Sequence, residues 1–356
     1  MPVSILPDQI TGPAAWYGPQ VATRTDWLHL LGDNEIAEIE RATRRVVESG
    51  LEPAKLRRED FPLPTLGPRL HRILTEVLEG RGFVLLRGLP VLEWGPRRSA
   101  LAFLGLGLHF GNLRSQNARG HLLGHVRDQG LSSKDPNVRI YQTRERQNYH
   151  TDSCDVVGLL CLHPARSGGL SSLVSTVTIF NELRRRRPDL VQVLFQLIET
   201  DRRGEVPPGQ KPYIRIPVFS WHAGLLSTKY HRPYIESARR FADVPPLTAA
   251  QTEALDAFDA LAEDPALHFF MEFRSGDVQL VHNHTLLHDR TAFEDWPDPE
   301  RRRHLLRLWL APAEARPLPA VFAERYGSVV PGERGGIQLP GLHWVVPWEP
   351  DTPEGG

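Results

Sequence analysis

Apolar positions recur at helical spacing in the first hundred residues. After Asp33-Asn34, a pair able to cap, Ile36, Ile39, Val46 and Val47 predict a helix over 35–48. Leu70, Ile73, Leu74, Val77 and Leu78 form one stripe of a second helix over 67–79, with Gly80 as its stop. The apolar run Phe83-Val84-Leu85-Leu86 after Gly82 predicts a buried strand, and 97–108 a further apolar helix. From about residue 138 the texture changes to short β-rich runs separated by Gly and Pro, at 138–143, 156–162, 171–175, 212–219, 267–274, 277–283 and 304–311. Helices interrupt at about 178–198 and 248–262, the latter with Thr248 as cap and Leu255, Phe258 and Leu261 as its face. Many short strands with turn signals predict a barrel or jelly roll with helices packed outside it, an α+β, mainly β fold in one elaborated domain. The Pro/Gly-rich stretch from Pro312 onward is expected to wrap the surface.

Composition narrows the function classes. The 356 residues are 40% apolar and 24% charged, which excludes disorder, collagen and coiled coil as descriptions of the whole. A net charge of −1 offers no basic field to nucleic acid or anionic lipid. No apolar run approaches the ~20 residues of a membrane span, and the N-terminus lacks a charged segment followed by an apolar one. Two cysteines, Cys154 and Cys161, make neither a disulfide framework nor a cysteine-type zinc site. The expectation is a soluble cytoplasmic protein with a small-molecule partner, not a nucleic acid or a membrane, with homo-oligomerisation left open. Lysine is rare, at four of the 42 cations; arginine suits bidentate carboxylate capture.

Three clusters could carry chemistry. In Tyr149-His150-Thr151-Asp152, positions i and i+2 of an extended segment face one way, so His150 and Asp152 can reach one ion. Alone, such a pair also reads as polar turn residues. The run Val281-His282-Asn283-His284-Thr285-Leu286-Leu287-His288-Asp289-Arg290 places three histidines in seven residues after an apolar strand. One of them added to His150 and Asp152 gives two imidazoles and one carboxylate, the facial triad of non-haem Fe(II) oxygenases. The third cluster, from Arg301 to Leu310, alternates with period 2: His304, Leu306, Leu308 and Leu310 on one face, Arg303, Leu305, Arg307 and Trp309 on the other. Its arginines face either water or an anion inside a barrel mouth.

Together these clusters resemble the taurine/2,4-D dioxygenase (TauD/TfdA) family of Fe(II)/2-oxoglutarate enzymes. The likeness is densest in QNYHTDSCDVVGLLCL at 147–162 and NHTLLHDRTAFEDWPDPERRRHLLRLWL at 283–310, and it covers roughly 80–311. It implies a double-stranded β-helix (jelly roll) core with helical insertions over 81–311, preceded by a helical elaboration over 1–80 and followed by a tail over 312–356. It implies His150, Asp152 and His288 as iron ligands and Arg303 on the distal carboxylate of 2-oxoglutarate. Arg307 assists that contact or meets an anionic substrate group. Ser171, after Gly168-Gly169, and Thr176 are candidates to complete the carboxylate pocket, although Gly-Gly-Leu-Ser departs from the family's Gly-Gly-Asp-Thr. Asn148, Tyr149, Gln116 and Asn117 are the candidate substrate contacts, with loop 113–137 and segment 144–149 as walls. His282, His284 and His304 are read as structural or supporting, and the cysteines as buried thiols. The implied reaction uses Fe(II), 2-oxoglutarate and O2, oxidises a substrate C–H bond, by default to an alcohol, and releases succinate and CO2. Relatives that halogenate lack the ligand carboxylate, so Asp152 points to oxygenation. A secondary-metabolic small molecule is the expected substrate. A metal-dependent hydrolase using the same cluster, and a ligand-binding barrel without catalysis, are the alternatives.

Overall fold

The computed structural model describes residues 6–132 and 138–350. Two β-sheets face each other and carry helices on their outer surfaces, the layering of a jelly-roll core. The major sheet uses β1 (Leu28–Leu30), β2 (Phe83–Arg87), β3 (Asn112–Arg114), β4 (Leu123–Val126) and β6 (Val156–His163). The minor sheet uses β5 (Gln147–His150), β7 (Ser171–Ser175), β8 (Phe269–Met271) and β10 (Leu286–Arg290). β9 (Val278–His282) and β11 (His304–Ala311) complete the major sheet, whose order is β1-β2-β9-β6-β11-β3 with β4 also pairing with β11. The minor sheet runs β8-β7-β10-β5. Except for the parallel β1–β2 pair, these ladders are antiparallel.

Period-2 alternation sorts side chains between layers. On β11, Leu306, Leu308 and Leu310 pack against helices α1 (Asp33–Ser49), α2 (Leu66–Glu79) and α3 (Val91–Leu108). Leu305 and Trp309 point into the space between the sheets, beside Phe83, Leu173, Phe269 and Leu286. Helices α4 (Thr176–Arg186), α5 (Pro188–Leu194) and α6 (Ala249–Ala262) cover the minor sheet through Val174 and Leu287. As the sequence reading expects, Thr248 caps α6, its hydroxyl accepting from the Gln251 N–H at 3.2 Å.

Several boundaries differ from the sequence pattern, each for a local reason. The 178–198 helix is two helices, because Pro188 cannot continue α4 and instead opens α5. The 212–219 strand breaks into Tyr213–Ile216 and Phe219–His222 around Pro217, which has no N–H for the ladder. Within 138–143 the chain forms a 3-10 turn at Ile140–Gln142 rather than a strand. α3 begins at Val91, six residues early, and kinks at Gly95-Pro96, where Gly95 has φ 70°. The strand β10 went unread because three of its five residues, His288, Asp289 and Arg290, are polar although all five are buried. The tail does more than wrap the surface: Arg334 is fully buried, and its guanidinium grips Asp155 at 2.7 Å. No helix among the described residues is long and apolar enough to cross a membrane.

A candidate metal centre between two cavities

β5 ends at His150, directly opposite His288 in the β5–β10 ladder, with ring centroids 4.2 Å apart. Beyond His150 the chain leaves the sheet and is held through its backbone N–H groups: Thr151 N donates to the Tyr230 carbonyl at 2.8 Å and Asp152 N to the Asn283 side-chain Oδ1 at 2.9 Å. The Asp152 carboxylate thereby returns to the His150 side. Donor atoms of His150, Asp152 and His288 all lie within 4.8 Å of one another, and His288 Nε2 is 3.8 Å from Asp152 Oδ2.

The donor set fits a divalent metal. His150 Nδ1–H donates to the Asn148 carbonyl at 2.8 Å, which fixes the tautomer and places the ring's lone pair on Nε2. That lone pair accepts from the Gln147 amide at 3.0 Å. Neither ring nitrogen of His288 has a hydrogen-bond partner among the described residues, although the ring is nearly buried. A buried imidazole without partners is costly unless a metal engages it. Burial, then the neighbouring His150, pushes His288 down to about 3, and burial lowers His150 as well, so both rings are neutral. Burial pushes Asp152 up, but the charge of Arg307 and the Trp309 N–H act against it, and the carboxyl stays well below the usual range. Two neutral imidazoles and one carboxylate therefore face one point.

That point lies where two cavities meet. The inner one, about 490 Å³, is lined by all three candidate ligands together with Ser171, Arg290, Arg303 and Arg307. Ser171 sits opposite Arg290 in the β7–β10 ladder, and its hydroxyl meets the Gln279 amide at 3.0 Å. Arg303 is buried with no carboxylate in ion-pair contact among the described residues, and its Nη1 has no partner. Burial pushes it down to about 10. The turn Gly168-Gly169 lets the chain pass close to it: both have φ near +70°, and a Cβ on Gly169 would lie 3.0 Å from Arg303 Nε.

The outer cavity, about 870 Å³, takes His150 and Asp152 as its floor and is walled by Gln116, Asn117, Arg139, Lys229, Arg307 and Arg325, among others. Arg307 divides the two spaces. Its Nε donates to Gln116 Oε1 at 2.7 Å, its Nη1 lies 3.6 Å from Asp152, and it stacks over Tyr141 and Trp309. Lys229 braces the ligand segment, its Nζ donating to the carbonyls of Thr151 and Asp152 at 3.0 and 3.1 Å.

The structure thus brings His150, Asp152, His288, Arg303, Arg307, Ser171, Gln116 and Asn117 to the cavities, and corrects three expectations. Tyr149 alternates with His150, so it faces the other way, into the core under α4 and α6, with its hydroxyl on Ser172. Asn148 is exposed at the edge strand and lines neither cavity; Gln147, one residue earlier, lines both. Thr176 begins α4, away from both cavities. His284 binds Asp155 at 2.8 Å and His304 binds His125 at 2.8 Å, consistent with supporting roles, and Cys154 and Cys161 are buried. Residues 133–137 of the expected wall lie outside the described residues. Sequence reasoning missed Arg139, Lys229, Arg290, Trp309 and Arg325. Lys229 carried a faint signal as one of four lysines; Arg325 lay in a tail read as surface wrapping.

A jelly-roll core presenting two imidazoles, one carboxylate and adjacent cationic anchors defines a non-haem iron oxygenase. The family model described as "Taurine catabolism dioxygenase TauD, TfdA family" matches residues 49–309, and the chain belongs to that family. It is an Fe(II)/2-oxoglutarate-dependent dioxygenase, which sets aside the hydrolase and the non-catalytic barrel. The chain is 34% identical over 337 residues to FR-33289 synthase of Streptomyces rubellomurinus, covering 91% of this chain and 97% of that protein. It is 32% identical over 313 residues to a taurine hydroxylase-like protein, SAT17, of Stachybotrys chartarum, covering 85% and 80%. A solved structure of asparagine oxygenase with Fe(II), 2S,3S-3-hydroxyasparagine and succinate shares the fold, with TM-score 0.62, 18% identity, and 80% of this chain and 93% of that one covered.

Proposed function

We propose that the inner cavity receives 2-oxoglutarate, the outer cavity receives a small polar substrate with an anionic group, and His150, Asp152 and His288 hold Fe(II) between them. The observation that carries this reading is the placement of the three donors at the junction of two cavities, one of them ending on an arginine with no counter-ion. When bound, the iron and its cosubstrate supply the oxidising power for a C–H bond.

The chain's residues do the positioning. Arg303 offers a guanidinium fork to the distal carboxylate, with the Ser171 hydroxyl beside it. Arg307, clamped by Gln116, separates the reactants and presents its charge to the substrate side. The outer wall holds the guanidinium groups of Arg139, Arg307 and Arg325 beside Lys229, which burial pushes down to about 7, and the carboxylates Asp152, Asp201 and Glu205, with Glu205 lying between Arg139 and Arg325 at 3.2 and 3.5 Å. Those guanidinium groups suit an anion. The inner cavity's apolar lining, Val157, Leu159 and Leu305, excludes water around the reacting centre. Hydroxylation is the default outcome, the setting is secondary metabolism, and the location is the cytoplasm. The test is aerobic release of succinate from 2-oxoglutarate with Fe(II), screened over anionic and neutral candidate substrates. Coupled release with an anionic compound supports the reading; coupling to neutral compounds alone overturns the assignment of the outer wall.

A further inference from the structure

Arg303 is not the only buried cation facing the inner cavity without a counter-ion. Arg290 lies two residues past His288 on β10, so the two side chains share a face. Among the described residues one hydrogen bond engages its head: Nη2 donates to the Glu145 carbonyl, while Nε and Nη1 are buried with no hydrogen-bond partner. Arg303 Nη1 is likewise unpartnered. Both guanidinium groups lie near one aromatic ring, 4.9 Å (Arg290) and 5.1 Å (Arg303) from the centroid of Phe293, and neither has a carboxylate within ion-pair distance among the described residues. Asp289, the nearest acid in sequence, also lines the cavity, but its carboxylate pairs with Arg146 through Oδ2 at 2.8 Å and makes no ion pair with either guanidinium. Asp295 meets the backbone N–H of Arg303 rather than its guanidinium.

Two like charges buried in one cavity repel each other, and each has lost its hydration. A fold keeps such a pair only where something compensates it. The missing partner must be anionic and able to accept from several N–H groups at once. We propose that Arg290 is a second anchor for the distal carboxylate of 2-oxoglutarate, which it clamps together with Arg303 while Ser171, its cross-strand partner, closes the third side. This rests on the reading of the inner cavity as the cosubstrate pocket. Because Arg290 and His288 share one strand face, the clamp also couples the carboxylate end of the cosubstrate to the ligand strand.

The experiment is calorimetric titration of 2-oxoglutarate into the Fe(II)-loaded protein without oxygen, in parallel with 2-oxopentanoate, which keeps the keto acid and lacks the distal carboxylate. Arg290→Met should weaken 2-oxoglutarate roughly 10- to 100-fold, the loss of one charge-assisted contact, and leave 2-oxopentanoate unchanged. Arg290→Lys should recover part of the loss. Melting of the ligand-free protein supplies the second readout. Removing one of two repelling charges should leave the midpoint unchanged or raise it, while the upward shift caused by 2-oxoglutarate shrinks. Unchanged 2-oxoglutarate affinity with a lowered midpoint would make Arg290 a brace for the Glu145 carbonyl and overturn the proposal. Arg303→Met separates the two claims. If it loses 2-oxoglutarate while Arg290→Met does not, the pocket stands and the second anchor falls; if neither variant loses affinity, the pocket assignment falls as well.

Discussion

Trp309→Phe tests how the fold holds the carboxylate at the centre of the site. Trp309 Nε1–H donates to Asp152 Oδ2 at 2.9 Å, and that same oxygen faces His288 Nε2. Phenylalanine keeps most of the ring in the packed space between the sheets, where Trp309 is almost fully buried, and removes only the donor. A hydrogen bond to a charged group contributes about 1.5–3 kcal/mol, and groups that orient metal ligands typically govern metal affinity by about 10- to 100-fold. The account therefore expects Fe(II) affinity, measured without oxygen against a chelator of known strength, to fall by about that factor. The Asp152 carboxyl should also bind protons more readily, so the affinity loss should grow as pH falls. A variant that melts like the parent and binds Fe(II) within about twofold of it would refute the claim that the indole orients the ligand.

Arg334→Met should destabilise the protein by about 3–5 kcal/mol in chemical denaturation, because it leaves the buried Asp155 carboxylate with the His284 imidazole and no guanidinium; adding Asp155→Asn should recover much of the loss. Arg307→Ala should weaken the substrate more than 2-oxoglutarate, and Arg303→Ala the reverse, as read from the apparent affinity for each. Metal-free protein should lose stability as pH falls below about 6.5. Burial holds His288 and His304 down to about 3 and His284 to about 4, so the unfolded chain takes up protons that the folded chain refuses. The slope is on the order of 1.4 kcal/mol per pH unit for each such ring, and a melting midpoint that is flat from pH 7 to pH 5 would contradict it.

How far the sequence reading reached follows from how local each signal is. Residues whose role depends on strand alternation were legible: His150 with Asp152, and Arg303 with Arg307 across the Leu306/Leu308/Leu310 face, land where the period places them. The same rule, applied consistently, would have turned Tyr149 away from the site. Pro188 and Pro217 also carried their own punctuation. What stayed hidden depends on non-local pairing. Lys229 reaches the ligand segment from a neighbouring hairpin, and Arg325 and Arg334 arrive from the tail, more than 150 residues beyond Ser153 and Asp155, which they bond. Arg290 was visible as a residue, yet its lack of partners emerges only when the cavity around it is assembled.

The central claim is that His150, Asp152 and His288 form one divalent-metal centre. Its most direct test is an equilibrium titration of Fe(II), without oxygen, into the metal-free protein and into Asp152→Ala and His288→Ala. The account predicts one Fe(II) per chain in the parent, binding weakened by orders of magnitude in each variant, and folded protein throughout by melting. Fe(II) bound equally well by the parent and both variants would contradict it.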